Sequence, residues 1–160
     1  MRFAIRLRAN EAAVGDNMNI TVFTPAGGLY PLLGVLLFCA GTVLGVPHGL
    51  TKRGGNAKRT ELWRVAHLST CVGGISLIAL STALDRLLGA NATYTLAPFS
   101  MAAYCFFLAC TLSGWLNKAW DDDRTQTSVA LIYSLQILAS ALSVIAVGAF
   151  LLTLFWKIVS

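Results

Sequence analysis

The sequence predicts an all-α integral membrane protein whose four apolar helices form an up-down bundle. Two observations carry this prediction. Hydrophobic residues make up 56% of the 160 residues and charged residues only 12%, about half the charged share of an ordinary soluble domain. The apolar residues also fall into four runs, and each run is long enough to cross a bilayer core of about 30 Å as a helix. A soluble fold of this size could not bury that much apolar surface, so lipid is expected to cover it.

The four predicted spans cover residues 29–46, 65–84, 97–116 and 128–156. The Pro47-His48-Gly49 stretch is expected to end the first span. Pro98 is expected to occupy the first turn of the third span, where its missing N–H costs nothing. Short links make neighbouring spans antiparallel, which gives the up-down order. Residues 1–28 are expected to form a polar N-terminal tail, and residues 29–160 a single membrane domain.

The basic residues predict an orientation in the membrane. Four spans put both termini on one side and the first and third loops on the other. The loop side carries seven basic residues: Lys52, Arg53, Lys58, Arg59, Arg64, Lys118 and Arg124. The terminal side carries five: Arg2, Arg6, Arg8, Arg86 and Lys157. Because basic residues are enriched in cytosolic loops, the first and third loops are predicted to be cytosolic.

Two further features bear on localisation. The N-terminal segment is basic but has no apolar stretch before Asn10, so the first span is expected to act as its own insertion signal. The N-x-T sequons at Asn19 and Asn91 both fall on the predicted non-cytosolic side. The sequence therefore predicts a multi-pass protein of the endoplasmic reticulum in a eukaryote, or of the inner membrane in a bacterium.

The residues exclude several functions. The predicted spans contain no Asp, Glu, Lys or Arg at mid-depth, which argues against a proton pump or an ion-coupled transporter. No basic stripe interleaves with aromatic residues, so nucleic-acid binding is not expected. Phosphate-loop, dinucleotide, serine-hydrolase and zinc-protease motifs are absent. Any chemistry is therefore expected within the membrane, on an apolar substrate.

His67, one turn into the second span, is the most informative polar residue. Its neutral imidazole could ligate haem iron, or it could make a structural hydrogen bond between helices. His48 is expected to be an interfacial polar group, and Gly73-Gly74 a close helix contact. Four tryptophans near span ends predict an aromatic belt: Trp63, Trp115, Trp120 and Trp156. Four cysteines, none in a C-x-x-C pair, are expected to be small buried hydrophobes: Cys39, Cys71, Cys105 and Cys110.

The segment Trp63-Arg64-Val65-Ala66-His67, which opens the second predicted helix, resembles the styrene oxide isomerase family. A glycine-containing apolar stretch follows it at Cys71-Val72-Gly73-Gly74-Ile75, and the third span contains Tyr104 before the tryptophans at its exit. The resemblance runs from the first span through the third. It implies a small four-helix membrane enzyme that assembles as a homotrimer and binds haem b.

The resemblance also implies a reaction and its site residues. His67 would be the axial ligand of the haem iron, and Tyr104 the active-site tyrosine. In this family, ferric haem acts as a Lewis acid on a lipophilic epoxide, and a 1,2-shift then yields a carbonyl compound, the Meinwald rearrangement. A dry site favours that outcome because water would trap the opened epoxide as a diol. The family has an asparagine two turns after the histidine, facing the substrate, and Gly73 occupies that place here.

Two other interpretations stay open. Microsomal glutathione transferases are also four-helix trimers of this size, and Arg64 with Ala66-His67 resembles part of their Arg-x-x-Arg-Ala-His-x-Asn pattern. That family also needs several intramembrane arginines to hold glutathione, and this chain lacks them. Mostly apolar helices with scattered Ser, Thr and Gly equally suit a non-catalytic assembly or interaction subunit.

Overall fold

The computed structural model describes residues 27–119, 122–123 and 125–159. These residues form four α-helices and no strand: α1 (Leu29–Arg53), α2 (Ala57–Leu88), α3 (Thr93–Leu116) and α4 (Thr127–Val159). A 3-10 turn, Gly89–Ala92, joins α2 to α3. The all-α class predicted from composition is confirmed. The predicted N-terminal tail, the sequon at Asn19 and Trp120 lie outside the described residues.

The helices are suited to lipid. Three helical segments are long and apolar enough to cross a membrane: Leu29–Arg53, Ala57–Leu116 and Thr127–Val159. The second segment has 60 residues and contains both α2 and α3. Large apolar side chains are widely exposed along every helix, and an exposed apolar surface of this extent is unfavourable in water. These features indicate a membrane protein, as the sequence predicts.

Contacts between helices show that consecutive helices run antiparallel. Gly34, early in α1, faces Gly74 in the second half of α2, whereas His48, late in α1, reaches the Thr60 carbonyl at the start of α2. Trp63, near the start of α2, lies against the last turns of α3. The up-down order expected from short links is therefore the order of these helices.

One contact at each end of the bundle links connections that are distant in sequence. Lys58 Nζ lies 2.8 Å from Asp122 Oδ2 and joins the start of α2 to the link between α3 and α4. The Lys58 hydrogen bond, followed by that of the Ala119 N–H, lowers the pKa of Asp122. At the opposite end, Lys157 donates a hydrogen bond to the Leu87 carbonyl. The first and third connections therefore share one end of the bundle.

Both expectations about prolines were wrong. The α1 helix continues through Pro47 to Arg53, and Thr51 Oγ1 donates to the Pro47 carbonyl at 2.9 Å. A proline removes only its own N–H, so later residues can keep the helix going when neighbouring helices support it. The α3 helix begins at Thr93, directly after the 3-10 turn, and Pro98 therefore lies in its second turn rather than its first.

Glycines set the distance between α1 and α2. A Cβ atom on Gly74 would lie 2.6 Å from the Phe38 nitrogen and 2.7 Å from the Gly34 oxygen, closer than real contacts allow. The two backbones therefore touch, as predicted for this part of α2. A Cβ on Gly73 would instead meet Leu37 Cδ2 at 3.5 Å, an ordinary contact. The two adjacent glycines thus have different roles, and only Gly74 is needed for close packing.

Gly74→Ala is expected to push α1 and α2 apart and to lower the free energy of unfolding by about 1–3 kcal/mol, the usual cost of overpacking. Gly148→Ala is the matched control, because nothing lies within 4 Å of its added Cβ. Thermal denaturation of both purified variants in one detergent measures the difference. A Gly74→Ala protein with the same melting temperature as the wild type would contradict the close backbone contact.

Candidate functional site

His67 lies on α2 with its ring against α1. Its Nδ1 is 2.8 Å from the Gly41 carbonyl oxygen. A carbonyl oxygen can only accept, so Nδ1 carries the proton and donates it. A Cβ on Gly45 would lie 3.4 Å from ring atoms Cε1 and Nδ1. Glycine at position 45 therefore gives the imidazole room in the groove between the two helices.

This hydrogen bond fixes the tautomer of the neutral ring. Nε2 keeps its lone pair, and within the described chain the ring's polar contacts are all made through Nδ1. Metal-binding histidines usually donate their other ring N–H to a carbonyl or a carboxylate in this way. The two uses predicted for His67 are thus compatible, because the interhelical hydrogen bond uses one nitrogen and leaves the other for iron.

A multi-ligand metal site is not formed in the part of the chain that the structure describes. No three His, Cys, Asp or Glu side chains there come close enough to hold one ion. The nearest second donor to His67 is Cys71, one turn later, whose Sγ lies 3.8 Å from Nδ1. The described residues therefore do not support a metal ion held at His67 by several protein side chains.

The four cysteines differ in their surroundings, and all are free thiols. Only Cys110 is buried; Cys71 and Cys105 are partly buried and Cys39 is exposed. The expectation that all four are buried is therefore wrong for Cys39. In an apolar bundle the outer surface is as hydrophobic as the interior, so a small apolar side chain is stable on either side.

Tyr104 also contacts α1, but at a different level from His67. Its Oη donates to the Leu33 carbonyl at 2.8 Å. Leu33 and Gly41 are eight residues apart on α1, which is about 12 Å along the helix axis. No hydrogen bond joins Tyr104 to His67 in the described residues. The structure thus places both predicted site residues against one helix without bringing them together.

A cavity of about 310 Å³ lies between α2, α3 and α4. Aromatic and small side chains form most of its wall, and its hydroxyl groups are those of Ser69, Thr70, Ser140 and Ser143. Gly73, at the place of the family's substrate-facing asparagine, is part of the lining. The size and the largely apolar wall suit a small lipophilic molecule.

Thr70 is the hydroxyl of this cavity that lacks a partner. It is 3% exposed, and its Oγ1 makes no hydrogen bond within the described chain. Ser69, Ser140 and Ser143 each donate to a carbonyl one turn earlier on their own helix. A buried hydroxyl without a partner costs about 1–3 kcal/mol, so Thr70 is a candidate to bind a ligand. In the sequence it is one of many hydroxyls in the spans, and only its missing partner distinguishes it.

The cavity and His67 lie on different faces of α2. At about 100° per residue, Gly73 points roughly 120° and Thr70 roughly 60° away from His67 around the helix axis. The His67 ring faces α1, whereas Gly73 and Thr70 line the cavity toward α3 and α4. Within one chain, His67 therefore faces α1 and does not line the candidate substrate cavity.

Trp63, the first residue of the family-like segment, is not part of an aromatic belt. It is 5% exposed and packs on Gly114 of α3, where a Cβ would come within 2.7 Å of its ring. The missing side chain at Gly114 makes the space that the indole fills. Trp115 and Trp156 are 71% and 75% exposed near helix ends, which agrees with the predicted belt.

Two other residues singled out in the sequence make local contacts. His48 lies inside α1 rather than at its end, and its Nδ1 is 3.2 Å from the Thr60 carbonyl. Arg64, on which the glutathione transferase interpretation depends, is exposed and lies 2.6 Å from Glu61. Its guanidinium is therefore occupied by an acid of its own helix.

An apolar helical bundle with a tautomer-fixed histidine between two of its helices describes a small membrane protein. The chain belongs to the styrene oxide isomerase family, whose family profile matches residues 28–155, from the start of α1 to the last turns of α4. Comparison with curated proteins gave no match, and comparison with solved structures gave none. The resemblance seen in the sequence is confirmed, and it extends beyond the third span into α4.

Tyr104→Phe is expected to lower the free energy of unfolding by about 0.5–1.5 kcal/mol, because the Leu33 carbonyl loses the donor that joins α3 to α1. Tyr94→Phe is the matched control, since Tyr94 is 69% exposed on the same helix. Melting temperatures in the same detergent compare the two. An equal, small effect of both substitutions would show that the interhelical hydrogen bond contributes nothing.

Proposed function

We propose that this protein is a membrane-embedded, haem-dependent isomerase that converts a lipophilic epoxide into a carbonyl compound by a Meinwald-type rearrangement. The observation that carries the proposal is the family match over residues 28–155. The arrangement of His67 is consistent with it, because a histidine with Nδ1 bonded to a carbonyl is suited to bind iron through Nε2.

The proposed topology has four membrane spans. A helix needs about 20 residues to cross the bilayer core. The α2 and α3 helices have 32 and 24 residues and run antiparallel, so each can cross once. We place the first and third connections in the cytosol, where their basic residues favour them.

The proposed cofactor is haem b, held by Nε2 of His67. When bound, ferric haem would supply a Lewis acid for the epoxide oxygen. The chain itself contributes the ligand and its orientation. The Gly41 carbonyl holds the Nδ1 proton, and Gly45 leaves space beside the ring.

The cavity between α2, α3 and α4 is the proposed site for the apolar body of the substrate. Its aromatic walls would exclude water, which otherwise traps an opened epoxide as a diol. We assign the polar contact to the Thr70 hydroxyl, which lies one turn from Gly73 and has no partner among the described residues. Its Oγ1 is covered by protein in this structure, so a side-chain rotation would bring it to the substrate. Tyr104 keeps the active-site role that the resemblance implies, and its phenol oxygen can accept, but not donate, while it is bonded to Leu33.

A second copy of the chain would complete this site. His67 faces α1 and does not line the cavity, so this arrangement of one chain does not present the histidine to a substrate bound there. The homotrimer implied by the family resemblance would let the His67 face of one subunit meet the cavity of the next. Native mass spectrometry of the purified protein tests this assembly, and a monomer that retains isomerase activity would exclude it.

The first test is the haem spectrum. Purified protein reconstituted with haem is expected to show a Soret band that His67→Ala removes, because the axial ligand is lost. His48→Ala is the control, since His48 bonds to the Thr60 carbonyl at the basic end of α1 and is not a proposed ligand. A wild-type protein that stays colourless after reconstitution would overturn the proposal.

The second test addresses Thr70. Thr70→Val is expected to lower the rate of styrene oxide isomerisation about tenfold, the value of one transition-state hydrogen bond of about 1.4 kcal/mol. Stability should not fall, because a buried hydroxyl without a partner is removed. Thr95→Val makes the same change at another buried, unpartnered threonine outside this cavity and should leave the rate unchanged. Equal isomerisation rates for the wild type, Thr70→Val and Thr95→Val would show that Thr70 does not contact the substrate.

A further inference from the structure

A second candidate binding region lies where the end of α1 meets the start of α2 and the end of α3. Two cavities there, of about 410 and 350 Å³, share the lining residues Pro47, Arg59 and Trp63. We call these adjoining cavities the Arg59 groove. The groove is separate from the cavity that lies between α2, α3 and α4.

Arg59 presents an unneutralised cation to this groove. Its Nε is buried and has no hydrogen-bond partner within the described chain, and Nη2 reaches only the Trp115 carbonyl at 3.5 Å, the long limit of a hydrogen bond. Among the described residues, the neighbouring cations Lys58 and Arg64 form ion pairs with acids, but Arg59 does not. A partly buried guanidinium with an unused donor is stabilised by an anion.

The rest of the lining defines what kind of anion fits. The Thr111 hydroxyl is buried, unpartnered and part of the same groove. Among the residues that the structure describes, no acidic side chain lines either cavity. The other walls are mainly apolar and include Val43, Leu44 and Trp115. The groove therefore suits an amphiphile with an anionic head and an apolar tail.

The position of the Arg59 groove in the bundle further limits the class of ligand that it can bind. Trp115, on the rim, is highly exposed at a helix end, where tryptophans sit at headgroup level. Several basic residues occupy the same end of the bundle: Lys52, Arg53, Lys58 and Lys118. Basic pockets between membrane helices at this level bind anionic lipid headgroups.

We propose that the Arg59 groove binds an anionic phospholipid. Its phosphate contacts the Arg59 guanidinium, and a rotation of the Thr111 side chain, whose hydroxyl is covered in this structure, brings that hydroxyl to the phosphate. An acyl chain lies along Val43, Leu44 and Trp115. The proposal does not depend on haem or on isomerase activity, because none of these residues is a proposed haem ligand or lines the α2–α4 cavity.

Native mass spectrometry of the full-length, haem-free protein tests whether the Arg59 groove binds an anionic phospholipid. The probes are phosphatidylglycerol and phosphatidylcholine with identical acyl chains, added in detergent. Wild-type protein should retain phosphatidylglycerol in preference to phosphatidylcholine. Arg59→Gln should weaken retention of phosphatidylglycerol at least tenfold, about the value of one hydrogen bond to a charged group. Arg53→Gln is the matched control, because it removes the same charge at the same end but lies outside the groove.

A second variant keeps the test decisive if Arg59→Gln does not fold. Thr111→Val preserves the side-chain shape, removes an unpartnered hydroxyl and should reduce phosphatidylglycerol retention without loss of stability. Equal retention of the two lipids by wild type overturns the proposal, as does unchanged phosphatidylglycerol retention in Arg59→Gln and Thr111→Val. Displacement of phosphatidylglycerol by inorganic phosphate alone would show that the groove is a simple anion site and would overturn the lipid proposal.

Discussion

The backbone contact between α1 and α2 is the constraint on which the candidate iron site depends. Lipid supplies no hydrophobic drive to bring helices together, so close packing of small residues does. Gly74 touches the backbone of α1, and a side chain on Gly41 would collide with the Cys71 nitrogen at 2.7 Å. This spacing puts the Gly41 carbonyl 2.8 Å from the His67 ring. A wider gap would break that hydrogen bond and leave the tautomer undefined.

The α2 helix is shared between two environments. One face carries His67 into the groove with α1, and another carries Thr70 and Gly73 into the cavity with α3 and α4. The hydrogen bond of His67 occupies Nδ1 and leaves Nε2 without a partner among the described residues, which suits the haem ligation that we propose. On the proposed substrate side, Gly73 lines the cavity and the Thr70 hydroxyl has no partner among the described residues. The site we propose therefore needs contributions from more than one face, and from more than one subunit.

Charge is confined to the ends of the bundle, and its pairing there is selective. Lys58 and Arg64 are neutralised by Asp122 and Glu61, whereas Arg59 keeps an unused donor beside an apolar wall. An exposed ion pair contributes little to stability, but a partly buried cation without an anion has a cost that a ligand can relieve. The same end of the protein thus holds two solvated ion pairs and one group suited to bind an anionic amphiphile.

The sequence by itself determined the all-α membrane class, the antiparallel order, a close helix contact at the Gly73-Gly74 pair, of which the structure assigns only Gly74, and the family, through the segment around His67. These follow from hydrophobicity and short motifs, which report the solvent that each segment faces. Tertiary structure alone decided the burial of Trp63 against Gly114, the Nδ1 partner of His67 and the missing partner of Thr70. It also decided that α1 continues past Pro47. Each of these depends on atoms from a helix distant in sequence or on hydrogen bonds that neighbouring helices support, and no pattern along a single helix encodes them.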